Sequence, residues 1–132
     1  MNNHSLHHGG ADPALRIVAM PAHTNPFGDI FGGWIMSQVD IAGGVVATKR
    51  AKCRVATVAV TEFVFKKPVL VGDLISCYAH ILKVGKTSIT VKIEVCALRN
   101  DLNDDCIKVT EATVVYVAIG DNNQTKEIPK ED

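Results

Sequence analysis

The chain reads as an α+β domain in which an antiparallel sheet curls around one long central helix. Three features predict it. Residues 32–50 contain no proline and no two-residue alternation, and a run of that length favours helix over strand. After it the period changes to two, over residues 55–65, 74–84, 88–98 and 107–119. The helix is apolar around most of its circumference, so sheet must wrap one flank and something else, such as a second subunit, the other.

Taken in order, residues 14–20 form a short apolar run stopped by Pro21, a first strand, and a loop follows over 21–29. On a helical wheel of residues 32–50, Gly33, Ser37, Asp40, Gly44 and Ala47 share one narrow sector. Trp34, Ile35, Val39, Ile41, Ala42, Val45 and Val46 spread over most of the rest. In residues 55–65, Val58, Val60, Glu62 and Val64 alternate with Thr57, Ala59, Thr61, Phe63 and Phe65, and the strand closes at Pro68. Gly85-Lys86-Thr87 joins the next two alternating runs as a hairpin loop. Ile89, Val91, Ile93, Val95 and Ala97 mark one core-facing side of the second arm. A polar turn over 100–105 leads to the last strand. The domain is expected over 14–120, with a disordered leader over 1–13 and a polar, peripheral tail over 121–132. His4, His7 and His8 lie in that leader and are given no chemistry.

At 132 residues the chain has room for one domain that buries roughly two thirds of its unfolded surface. Fourteen basic residues balance fourteen acidic ones, which argues against nucleic acid and against an anionic membrane surface as partners. No stretch approaches the ~20 apolar residues of a membrane span, and the N-terminus lacks a signal peptide's apolar core. A soluble, cytoplasmic protein is expected. Cys53, Cys77, Cys96 and Cys106 lack metal-ligand spacing and read as reduced core filler. No feature asks for a metal or redox cofactor.

Chemistry concentrates between Asn25 and Asp40. A turn-rich loop runs into Gly32-Gly33, and the first turn of the helix behind it has backbone N–H groups with no intrahelical acceptor, suited to a developing negative oxygen. The competing reading is that the two glycines only turn a tight corner. Asp40, two turns further on, is expected in apolar surroundings, where an unpaired charge is costly and so points to function. Its structural alternative is a carboxylate satisfied by Ser37 or Gln38. Asn25 offers donor and acceptor groups for catalysis, or serves only as a turn-forming residue before Pro26. Asp29 reads as a cap or loop anchor near the helix start. The combination suggests acyl chemistry.

With those pieces in place, the chain closely resembles the hotdog-fold acyl-CoA thioesterases, in their single-domain bacterial YciA-type branch. The resemblance covers roughly residues 17–117. It is carried by Ala19-Met20-Pro21, by Thr24-Asn25, by the unbroken run from Gly28 through Gly32-Gly33 to Gln38, and by Asp40. Further pieces are residues 54–60, Lys67-Pro68, Val71-Gly72-Asp73, and residues 83–88. It implies hydrolysis of acyl-CoA to free acid and CoA. It implies a dimer whose sheets join edge to edge, with active sites at the subunit interface, commonly assembled further as a trimer of dimers. By position Asp40 matches the family's helix carboxylate, acting as general base or nucleophile, and Asn25 the loop amide. The oxyanion donors would be the amides near Gly32 and Gly33, each such donor typically worth about 2.7 to 4 kcal/mol of barrier.

CoA counts as part of the substrate and not as a cofactor. Its phosphates need local cations, for which Arg54 and Lys86 are the positional candidates, with Thr57 and Ser88 as polar partners. Residues 57–60, Val58 among them, could pair as a strand edge with the pantetheine amides. Two other readings stay open: a hotdog acyl hydratase or dehydratase using His23 with Asp40, and a non-catalytic acyl-CoA-binding oligomer.

Overall fold

The computed structural model of the chain describes residues 12–99 and 106–131, so the expected polar turn and most of the expected leader lie outside the described residues. Five strands, β1 (Leu15–Val18), β2 (Arg54–Phe65), β3 (Leu74–Val84), β4 (Ser88–Leu98) and β5 (Ile107–Ile119), form one antiparallel sheet around a single helix, α1 (Gly32–Ala51). The sheet order is β1-β3-β4-β5-β2. Strand β2 therefore leaves its sequence neighbour β3 and pairs with β5 at the far edge, carried there by the helix before it and the loop after it.

The helix ends as physics demands: Lys52 adopts a left-handed φ of 59° and its N–H bonds the Thr48 carbonyl at 2.9 Å. Its buried side, Ile35, Val39, Ala42 and Ala47, meets the inward rows of β3, β4 and β5, where Ile75, Ile89, Ile93, Val95, Val114 and Tyr116 are almost wholly enclosed. Ile41 and Val45, on the other flank, stay exposed, as expected of a helix too apolar for one small sheet to cover.

The tail is exposed over 121–127 and 129–131 and is anchored at one point: Ile128 is only 6% exposed and joins the core, its N–H bonds the Lys86 carbonyl at 2.8 Å, and Lys126 N–H bonds Ala118. A lone apolar residue in a polar segment carries no period, so the pattern could not show it. Cys96 and Cys106 are not reduced core filler but a disulfide, their Cα atoms 5.5 Å apart across the β4–β5 hairpin. Their meeting depends on a register shift between Val95 and Cys96, invisible in the spacing of ten. Cys77 is buried as expected and Cys53 is half-buried; both are free thiols.

Ile128→Ala is expected to destabilise the fold by about 2 kcal/mol or more, read as a lowered denaturant midpoint with an unchanged slope. Burial pushes the Cys77 thiol from 9.0 up to about 12. The folded chain then keeps a proton that the unfolded chain releases, so this contribution to stability is intact below pH 9.0 and is lost as pH rises towards about 12. Thiol labelling near pH 8 should mark Cys53 and spare Cys77 until the chain is unfolded, checked by peptide mass.

Candidate active site

Helix α1 begins without a side-chain cap. Phe31 is the N-cap residue, its carbonyl takes the N–H groups of Trp34 and Ile35, and the amides of Gly32 and Gly33 find no acceptor among the described residues. Neither glycine has a positive φ; that conformation belongs to Gly28 and Gly72. A Cβ at Gly32 would press on the Phe65 ring at 3.1 Å, whereas one at Gly33 would meet nothing within 4 Å. Nothing in the chain's own packing requires glycine at position 33. A recess of about 360 Å³ opens beside this helix start, with Ile30, Ile35 and Val69 among its apolar lining and Lys66 and Lys67 at its side.

Asp40 stands seven residues after Gly33, which places it within about 20° on the helix circumference and about 10.5 Å further along the axis. The expected apolar burial does not hold within one chain: Asp40 is exposed, because its side of α1 lies over the edge strand β2, beyond which no described strand follows. Neither Ser37 nor Gln38 satisfies it. The Thr57 hydroxyl donates to its Oδ1 at 2.6 Å, and Oδ2 has no hydrogen-bond partner among the described residues. From below, the Tyr116 hydroxyl donates to the main-chain carbonyl of Asp40 at 2.8 Å. Burial, and then the neighbouring Asp40 charge, push the Tyr116 hydroxyl well above its ordinary range, so it stays a donor.

The loop residues are engaged in structure. Asn25 Oδ1 accepts the N–H groups of Phe27 at 2.9 Å and Asp29 at 3.1 Å, the turn-forming arrangement, which leaves its amide nitrogen as the group still on offer. Asp29 anchors that loop through its backbone, its carbonyl taking the Asn25 N–H at 2.7 Å, and does not cap the helix. His23 accepts the Met20 N–H through Nδ1 at 3.2 Å and stacks on Trp34, ring centroids 4.5 Å apart.

The remaining candidates divide between two places. Arg54 bonds Asn123 at 2.6 Å, and the register carries the row from Arg54 through Ile119 to the hairpin bearing Lys86, two strand spacings or about 9.6 Å away. Ser88 lies on the opposite face of the sheet from the rung Thr57, Tyr116 and Ile89 that underlies the helix, with its hydroxyl folded over Gly85. Val58 is the extra residue of a bulge between Thr57 and Ala59 and stands 57% exposed on the outer edge. Sequence reasoning missed Tyr116, and with it Gly43, whose missing side chain admits the tyrosine. The available signal was a single large polar-tipped ring in the inward row of β5, between Val114 and Ala118.

Residues 27–102 match the model of the Thioesterase superfamily. The chain is 51% identical over 115 residues to an uncharacterized acyl-CoA thioester hydrolase of Buchnera aphidicola, covering 85% of this chain and 84% of that one. It is 43% identical over 122 residues to the acyl-CoA thioester hydrolase YciA of Escherichia coli, covering 91% and 92%. Among solved structures, a hexameric hotdog fold thioesterase of Campylobacter jejuni superposes with a TM-score of 0.83 at 48% identity, covering 89% of this chain and 90% of that one. A sheet curled around one helix is thus shared with proteins of one lineage, and this chain belongs to the thioesterase superfamily with the hotdog fold.

Proposed function

We propose that the chain hydrolyses acyl-CoA thioesters to a free carboxylic acid and CoA, with Asp40 as general base. The observation that carries this is the shared helix stripe: unpaired amides at Gly32 and Gly33, and a carboxylate with one oxygen held by Thr57 and the other open. The amides receive the carbonyl oxygen as it becomes anionic. The open carboxylate oxygen takes a proton from a water as that water attacks the gripped carbonyl. Direct attack by that oxygen, forming an anhydride that water then opens, is the second route, and incorporation of labelled oxygen into Asp40 in a single turnover would mark it. The names of the Buchnera and E. coli relatives support acyl-CoA as the substrate class. CoA arrives with the substrate, and no further cofactor enters the reaction. The cytoplasm is the compartment this substrate suggests, although the Cys96–Cys106 bond is of a kind uncommon there.

In this reading Arg54 and Lys86 hold the phosphates of CoA at one end of the sheet, the bulge at Val58 offers backbone to the pantetheine arm, and the amide nitrogen of Asn25 orients the thioester or the water. Strand β2 is a twelve-residue edge carrying exposed Val58, Val60, Val64 and Phe65, a surface made for strand pairing. Two copies joined along it would enclose both Asp40 residues, which removes the solvent that the single chain leaves around them. Three such dimers would give a hexamer, the state of the Campylobacter protein.

Release of CoA thiol from short, medium and long acyl-CoA tests the reading. Asp40→Ala should lower turnover by about 10² or more, and His23→Ala should leave it within about threefold, since His23 is committed to Met20 and Trp34. A comparable collapse of both would favour the hydratase reading, and tight binding of acyl-CoA without thiol release from the parent protein would favour the binding oligomer. Gly33→Ala should separate activity from stability. The new methyl meets nothing in the chain and raises helix propensity by up to about 1 kcal/mol, so the melting temperature holds or rises while turnover falls; unchanged turnover would remove Gly33 from the site.

A further inference from the structure

We infer that the β2–β5 rung of Thr57 and Tyr116 is a two-point mount for Asp40, with Tyr116 a positioning residue for the hydrolysis proposed above, on which this inference rests. Thr57 and Tyr116 are register partners, directly opposite each other in the sheet. Each reaches up to the same residue of α1: Thr57 donates to the carboxylate at 2.6 Å and Tyr116 to the main-chain carbonyl at 2.8 Å. One bond fixes where the side chain starts and the other where one of its oxygens ends. The second oxygen is left at a defined place.

Packing alone does not call for the tyrosine hydroxyl. Tyr116 is 1% exposed in an inward row with Val114 and Ala118, where phenylalanine would fill the same space without a buried polar tip. Nor does the helix need it, because the carbonyl of Asp40 already accepts the in-helix N–H four residues on, and the tyrosine occupies its second lone pair. The chain gives up a side chain to admit the hydroxyl: a Cβ at Gly43 would lie 2.2 Å from the Tyr116 oxygen. Directly after Thr57 the β2 ladder bulges at Val58 and resumes with Ala59 opposite Val115.

Tyr116→Phe keeps the ring and removes only the donor. We expect kcat for acyl-CoA hydrolysis to fall about tenfold with KM within about twofold and a melting temperature within a few degrees of the parent, because small displacements of a catalytic group cost rate before they cost binding. Thr57→Ala should do likewise. The double variant should depart clearly from the about hundredfold product of the two, since both act on one carboxylate. An unchanged kcat in Tyr116→Phe, or a strictly multiplicative double variant, overturns the mount. If Asp40→Ala keeps full turnover, the hydrolysis reading falls and this inference with it; if Asp40→Ala is inactive while Tyr116→Phe is fully active, only the mount falls.

Discussion

A twenty-residue helix that is apolar on nearly every side, laid on a five-stranded sheet, is the constraint from which the other features follow. The sheet can cover only one flank. To cover even that much, β2 must cross from the helix to the far edge and pair with β5, which brings Thr57 under the middle of α1 and Phe65 under its start. The uncovered flank and the uncovered edge then adjoin, and Asp40 lies where they meet. A charge is tolerated there in the single chain because water reaches it, and in the proposed dimer a second copy over the edge would make the same place low in dielectric. The acid's reactivity and the assembly of the protein are in this way one problem.

Much of the fold was legible because it rests on period. Strands β3, β4 and β5 begin and end where the alternation does, and α1 extends one residue beyond the expected 32–50. The first strand is shorter than the apolar run 14–20, since Ala19 already bonds Asp73 and the chain turns at Pro21. What the pattern could not supply was partnership. That β2 pairs with β5, that Cys96 meets Cys106, and that Ile128 returns to the core all depend on three-dimensional closure, for which one sequence holds no local signal.

The site shows the same division. Asp40, Gly32 and Gly33 stood out because a carboxylate and paired glycines interrupt an apolar helix. Thr57, a candidate for a CoA contact, donates to the acid, a neighbour that alternation along β2 cannot encode. Ser88 lies on the side of β4 opposite the core-facing row that begins at Ile89, as the alternation predicts. Asn25 reads as either catalytic or turn-forming, and its two ends allow both: the oxygen is spent on the turn, and the nitrogen has no partner among the described residues.

The glycines of α1 make the clearest physical distinction. Gly43 is explained inside the chain, by a tyrosine oxygen that would otherwise lie 2.2 Å from a methyl group, whereas Gly33 faces space that the chain leaves open. A helix loses roughly 1 kcal/mol of propensity at each glycine relative to alanine, so each needs a reason. For Gly43 the reason is the support of Asp40 from within. For Gly33, whose amide has no acceptor among the described residues, the proposed site supplies the reason: a substrate that comes closer than a side chain permits.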